Sequence, residues 1–338
     1  MTLKKIKVPH FFIISILSSL LILLIEWSIN INYDYHPDSL TYLNNSSEYS
    51  IISFYQNPTH FLGSFYYIWV SFFFANKIIL ITINIFLYAL TNSIIFSLIK
   101  KIYRKNGWLY YISVLIIIFD PYRVHLSVHI LKDTFIIFSL VIFLFSSSKI
   151  ISFFGLILGF MLRLGFFIYL PMKFTYLNKK NFIIFFMFSL FIFWYFKDII
   201  LSGISSGQEA EMAFRDFDIV YNFSEIGYPL GDIMRSLTWP VIRLTGLAAL
   251  FHSIYLLFLF QSLALIYLFF ANKNYLNYKI IFFIIPLVGL AIVTTGYNSY
   301  LRWSQPIITT LSIWLACLPI KNFTILEKKL KINSKKVF

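Results

Sequence analysis

The sequence predicts an all-α polytopic membrane protein, one integral membrane domain over residues 1–338. Three observations predict it. Apolar side chains make up 59% of the chain and charged ones 12%, with a mean hydropathy of +0.78, whereas a soluble globule carries about 25% charged residues. The apolar residues come in runs long enough to cross a hydrocarbon core of about 30 Å as helices. The cations are also sorted: 18 of the 21 lysines fall in short segments that read as one side of a membrane. Six of the seven arginines (Arg123, Arg163, Arg215, Arg235, Arg243 and Arg302) fall in segments that read as the other side, together with nearly all the acids.

Lysine tracks sidedness, so the first set gives topology. The net charge of +14 is then a topology signal, and no nucleic-acid partner is expected. Cys317 stands alone inside an apolar run, which excludes a disulfide framework or a thiolate metal cluster.

Each element follows from that frame. Lys4, Lys5 and Lys7 precede the apolar stretch Val8 to Ile31, too long for the core of a cleaved signal, and predict a first helix with a cytoplasmic N-terminus. The outer loop 32–60 contains Asp34, Asp38 and Glu48 and no lysine or arginine. Phe61 to Ala75 predicts a half-helix at the outer interface, because a second full crossing before Lys100, Lys101, Arg104 and Lys105 would violate the charge rule. Ile78 to Ile99 then crosses. Trp108 to Phe119 is short and is ended by Asp120-Pro121; Tyr122 to Asp133 is polar-rimmed; Thr134 to Phe145 returns toward Lys149.

Ile150 to Met172 predicts a hairpin of short helices with Arg163 at its apex, since a single span would put Lys173, Lys179 and Lys180 outside. Asn181 to Phe196 exits into a second outer loop, 197–243. Gly246 to Phe270, Ile280 to Tyr297 and Trp303 to Ile320 complete about ten crossings, half-helices included. A lysine-rich cytoplasmic tail, 321–338, follows, so both termini lie inside.

Arginine placed against the lysine bias needs its own reason, and a planar donor fork that grips phosphate at two points supplies one. Arg163 is the sharpest residue, because a guanidinium within an apolar run costs several kcal/mol unless it is paired or hydrated. Arg302 sits where the last helix begins, and Arg123 lies beside the Asp120-Pro121 break. Arg215, Arg235 and Arg243 are less specific, since Asp216, Asp218 and Asp232 can pair with them.

In the first loop, Asp34, His36 and Asp38 around Pro37 offer a general base or a pair of metal ligands, against the plainer reading of a solvated acidic loop. Drawn as a helix, His125, His129 and Lys132 share a face at i, i+4 and i+7, with Asp133 next to them. That face reads as anion-binding or as a basic interfacial helix against headgroups. The histidine spacing suits zinc, but no glutamate motif accompanies it and no third ligand is evident, so no metal is expected. Glu26, near the outer end of the first helix, needs no more than a capping role. No phosphate-cradling glycine loop or dinucleotide fingerprint occurs, and no cofactor is expected.

Several motifs combine into a resemblance. They are the acidic first loop, Asn57-Pro58 before a half-helix, Asp120-Pro121 leading through Ser127 to Lys132-Asp133, the Leu162-Arg163-x-Gly165-Phe166 run, and Tyr297 followed by Arg302 and Pro306. The layout resembles bacterial O-antigen and capsule repeat-unit polymerases and, more broadly, membrane glycosyltransferases of the GT-C fold. The resemblance implies an undecaprenyl-pyrophosphate-linked oligosaccharide as donor and acceptor, and an active site on the outer face of the bacterial inner membrane. It also implies partnership with a flippase and a chain-length regulator, and use of no nucleotide sugar.

The chain departs from many members in being short and in lacking a very large outer loop. On this reading Arg123, Arg163 and Arg302 clamp the pyrophosphate, Asp38 is the base, and His36, Asp120, His125, His129, Lys132 and Asp133 bind substrate. The lipid tail would occupy a groove between the half-helix and the hairpin. Two alternatives stay open: a polyprenyl-phosphate-sugar transferase or O-antigen ligase, and a lipid-linked sugar flippase or transporter.

Overall fold

The computed structural model describes residues 8–33, 35–48, 58–102, 108–176, 183–184, 187, 191, 194–195, 230–247, 256–273, 276, 278–294 and 297–318. Among these every regular element is a helix. In chain order they are α1 (Val8–Ser28), α2 (Pro37–Asn45), α3 (Pro58–Phe72), α4 (Lys77–Ile102), α5 (Trp108–Ile118), α6 (Pro121–Ser127), α7 (Asp133–Phe145) and α8 (Lys149–Leu162). A 3-10 segment (Leu164–Tyr176) follows, then α9 (Leu230–Thr245), α10 (Leu256–Ala271), α11 (Ile281–Val293) and α12 (Tyr297–Cys317). Among the described residues three stretches, Val8–Ser28, Lys77–Lys100 and Leu109–Ser127, are long and apolar enough to cross a membrane.

α1 is built for an apolar surrounding. Its inward stripe is Phe11, Ser15, Ser19 and Glu26, whereas Ile13, Leu17, Leu21 and Leu24 are exposed. Small and polar residues inside with leucine and isoleucine outside is the reverse of a soluble helix, and it suits lipid, where close backbone approach and hydrogen bonds drive helix association. Asn92 donates to the Ser15 hydroxyl at 3.1 Å, and the Ser19 and Ser127 hydroxyls meet at 3.0 Å. Helix α1 stops at Asn30, whose φ of 60° lets the Ile31 amide return to the Glu26 carbonyl at 2.8 Å. Between α3 and α4 the chain turns through Phe74 and Ala75, both at positive φ, and the Asn76 side chain accepts from the Ile79 amide at the start of α4.

The hairpin around Arg163 forms as expected. Helix α8 ends there because Arg163 is extended, with φ −155° and ψ 119°. The following 3-10 segment returns: Lys173 donates to the carbonyl of Phe143 at 2.5 Å and to the Ser152 hydroxyl at 3.1 Å, at the end of α7 remote from Asp133. Lys279 in turn donates to the Thr175 carbonyl at 2.8 Å. Lys149, Lys173 and Lys279 therefore gather at one end of the bundle. Glu26, Asp133, Arg163 and Arg302 gather at the other.

Three expectations are corrected. The helix beginning in the 121–133 region stops at Ser127 and resumes at Asp133, so His125, His129 and Lys132 do not share a helical face. Of the loop 197–243, Leu230 onward is helical, because an apolar stripe there packs on α10 and α11; residues 197–229 lie outside the described residues. The last helix starts at Tyr297, which places Arg302 in its second turn rather than at its start. Helix α3 packs on α8, the first arm of the hairpin. The first loop, in contrast to a wholly solvated one, folds into α2 and a 3-10 turn, Ser46–Glu48. Asp34, Arg215, Asp216, Asp218 and the tail 321–338 lie outside the described residues, as do the side chains of Asp232 and Arg235.

Helices α7 and α8 approach backbone to backbone at Gly155. A Cβ added at Gly155 would stand 2.7 Å from the Ser139 carbonyl oxygen and 2.8 Å from the Phe143 amide nitrogen, both backbone. Gly155→Ala is therefore expected to force the helices apart at a cost of about 1–3 kcal/mol. Gly289→Ala, where the nearest atom is 3.8 Å away, is expected to leave stability unchanged or slightly raised. Thermal unfolding of the two variants in the same detergent checks the difference.

Candidate functional site

At the arginine-rich end two polar clusters lie side by side, joined by the tripeptide His36-Pro37-Asp38. Pro37 occupies the first turn of α2, where its missing amide hydrogen leaves no bond unmade, and Asp38 lies in that turn. His36, just before it, faces one cluster and Asp38 the other.

The first cluster is ionic. Asp133 begins α7, where a carboxylate is favoured by the helix dipole. Its Oδ1 accepts from Arg163 Nη2 at 3.3 Å, and its Oδ2 is 3.2 Å from Arg302 Nε. Arg302 also donates to Asp38. Arg163 stacks over the Trp303 ring, 4.4 Å from its centroid, and the carbonyl of Trp303 accepts from the Tyr169 hydroxyl at 2.9 Å. Lys132 lies over the Tyr42 ring at 5.7 Å, in the field of Arg163, Arg302, Asp38 and Asp133.

Three cations thus face two carboxylates. Arg163 Nη1 is buried without a hydrogen-bond acceptor. Unbalanced positive charge with a fixed donor to spare is chemistry that can hold an anion.

The electrostatics follow from burial and pairing. Burial, then the neighbouring Arg163, bring the Lys132 ammonium down to about 8 against the pull of Asp133 and Asp38. At Asp38 burial pushes upward, but Arg302, helped by Lys132 and Arg163, outweighs it and holds the carboxyl below its ordinary value. A carboxylate so paired is ionised but weakly basic.

The second cluster is imidazole. After α6 the chain doubles back through residues 128–132, and Asn84 fixes that turn by donating to the carbonyls of His129 at 2.7 Å and Leu131 at 3.2 Å. The turn aims both histidines at α1. His125 Nδ1 lies 2.7 Å from Glu26 Oε1, and His129 Nε2 lies 3.0 Å from Glu26 Oε2. His36 Nε2 is 2.9 Å from His125 Nε2. Ligand atoms of His36, His125 and His129 lie within 4.8 Å of one another. Burial, with His125, His129 and Arg302 nearby, holds His36 well below the ordinary histidine range.

The metal-free reading of the sequence lacked a third ligand; the first loop brings one. The basic face expected to point outward instead points into the bundle, with His125 and His129 both buried.

A further polar layer lies one helical turn along α12 from Arg302. Asp120 caps α6 by accepting from the Tyr122 amide at 3.0 Å, and also accepts from Gln261 and Gln305. Arg243 donates to both glutamines and lies over the Phe258 ring. Two amide oxygens on other helices thus accept from it; the loop carboxylates that the sequence offered as partners lie outside the described residues. Arg123 donates to Asn92 and to the Ile117 carbonyl and faces Tyr88. The structure thus brings Arg163 and Arg302 together with Asp38, Lys132 and Asp133, and it places Arg123 and Asp120 in the layer beside them.

Sequence reasoning missed Glu26, Asn84, Gln261 and Gln305. For Glu26 the signal was present, since an acid in line with Ser15 and Ser19 lies on the inward stripe. Comparison with protein-family models, with curated proteins and with solved structures finds no match.

Removing the shared carboxylate should be far costlier than removing the outer one. Asp133→Asn leaves two guanidiniums underpaired in a dry site and is expected to cost about 3–5 kcal/mol. Asp38→Asn, at a side chain 41% exposed, is expected to cost about 1 kcal/mol or less. Chemical or thermal unfolding of the purified variants in detergent measures both.

Proposed function

We propose that this chain is a membrane glycosyltransferase that polymerises polyprenyl-pyrophosphate-linked oligosaccharide repeat units into O-antigen or capsular polysaccharide, at the outer face of a bacterial inner membrane. The observation that carries the reading is the Arg163–Asp133–Arg302 triad, which holds two guanidinium forks beside Lys132 with a donor to spare. Such a site suits a diphosphate better than a single sugar hydroxyl or a carboxylate.

The leaving diphosphate gains charge as the glycosidic bond to the anomeric carbon breaks. Arg163 and Arg302 stabilise that charge without reorganising, because packing and Asp133 already fix them. Asp38 has the role of base toward the acceptor hydroxyl. While paired with Arg302 it is a poor base; a bound diphosphate competes for that guanidinium, loosens the pair and raises the proton affinity of Asp38. Substrate binding and base activation are then one event. With α3 packed on α8, the prenyl tail runs along the exposed apolar face of α8, over Ile150, Phe153, Phe154 and Ile157.

A second reading, a lipid-linked sugar transporter, is favoured by buried charges on several helices: Glu26, Asp120, Arg123 and Arg243 besides the triad. Against it, Asp120, Arg123 and Arg243 are held by the amides of Gln261, Gln305 and Asn92, an arrangement that fixes helices rather than lining a path.

Deletion of the gene distinguishes the two. Loss of a polymerase leaves surface glycans of a single repeat unit on a gel, and loss of a transporter leaves none. In the same assay Arg163→Lys, which keeps the charge and discards the fork, is expected to shorten chains, with transfer reduced about 10–100-fold. Full-length polymer from that variant would remove the clamp role.

Anion binding should also depend on pH. Lys132 carries its proton below about 8, so affinity for inorganic pyrophosphate should fall as pH rises through 8. Calorimetry on either side of that pH measures the fall. Lys132→Arg should flatten it, since arginine stays charged throughout; of the groups facing Lys132, which are Asp38, Asp133, Arg163, Arg302 and Tyr42, the Asp38 carboxyl is held low by Arg302 and the Tyr42 hydroxyl is pushed high by burial, both away from that window.

A further inference from the structure

We propose that His36, His125 and His129 form a binding site for a divalent transition metal, zinc by preference, with Glu26 as the carboxylate that orients two of the three ligands.

The donor arithmetic is specific. Glu26 accepts at Oε1 from His125 Nδ1 and at Oε2 from His129 Nε2, at 2.7 and 3.0 Å. Each of those nitrogens then carries the ring hydrogen, which leaves His125 Nε2 and His129 Nδ1 with lone pairs. His125 Nε2 stands 2.9 Å from His36 Nε2; His129 Nδ1 is buried with no hydrogen-bond partner in the protein, on a ring whose centroid lies 4.9 Å from that of His36. A buried imidazole nitrogen with nothing to bond, on a ring that is 1% exposed, is the second independent sign of a ligand.

In a tetrahedral zinc site with Zn–N bonds of about 2.0–2.1 Å, neighbouring nitrogens lie about 3.3 Å apart. The observed cluster brackets that spacing, with one pair at 2.9 Å and all its ligand atoms within 4.8 Å. Neutral imidazoles select zinc, copper, nickel or cobalt over calcium or magnesium, which take oxygen. Glu26 supplies the outer carboxylate that such histidines use to fix tautomer and ring orientation.

Three protein ligands leave a fourth position for water or a substrate oxygen. The site also ties the first loop to α6 and α1. Because His36 is separated from Asp38 only by Pro37, the metal would set where Asp38 stands relative to Arg302. The assignment rests on the ligand geometry and is independent of any transferase activity.

The test uses tag-free, full-length protein in detergent or nanodiscs, stripped with a chelator and titrated with cobalt(II) as a spectroscopic stand-in for zinc. The expected result is one equivalent bound, with the visible bands of a four-coordinate nitrogen site, displacement by zinc, and a higher unfolding temperature on metal addition. His36→Asn, in the loop and so the least disruptive of the ligand variants, is expected to abolish the bands and the thermal shift. Glu26→Gln is expected to retain the bands with affinity lowered about 10–100-fold. Wild-type protein that takes up no cobalt, or cobalt bands that survive His36→Asn unchanged, would overturn the assignment. Both readouts are independent of glycan assembly, so failure here leaves the transferase proposal standing, and the reverse also holds.

Discussion

The arginine-rich end of the bundle is organised around one buried carboxylate. Asp133 is fully buried, stands at the N-terminus of a helix, and faces two guanidiniums that reach it from distant parts of the chain, Arg163 from the hairpin and Arg302 from the last helix. In a low-dielectric interior two such cations repel strongly unless a counter-ion lies between them. Asp133 is that counter-ion, and its helix dipole adds to the attraction. The hairpin apex and α12 can therefore meet only because α7 begins where it does.

Beside this ionic centre the fold uses a different device, amide and imidazole networks. Gln261, Gln305 and Asn92 hydrogen-bond to Asp120, Arg243 and Arg123 without adding charge. Polar bridges of this kind fix helix register where lipid-like surfaces offer little directional preference. The contrast lies in the partners: the layer holds its charged groups with amides, whereas the triad holds its charged groups with one another.

Much of this was legible from residue order, and the rest was not, for identifiable reasons. The breaks at Asp120-Pro121 and Arg163, the return of the chain to Lys173, and the pairing of acids with arginines at one end follow from proline chemistry and charge sorting. The stop at Ser127 was invisible because it depends on Asn84, more than 40 residues earlier, capturing the carbonyls of the turn. His36 joining His125 was likewise hidden, since the contact spans 89 positions and no local spacing encodes it. The amides that bond Arg243 were hidden for the same reason, since Gln261 and Gln305 lie 18 and 62 positions away on other helices.

Glu26 carries a consequence for how the molecule is made. Its two imidazole partners lie 99 and 103 positions later in the chain. The first helix is therefore made before either partner of its acid, and the acid's place near the helix end keeps it within reach of the headgroups, where an unmatched carboxylate costs less than in the hydrocarbon interior.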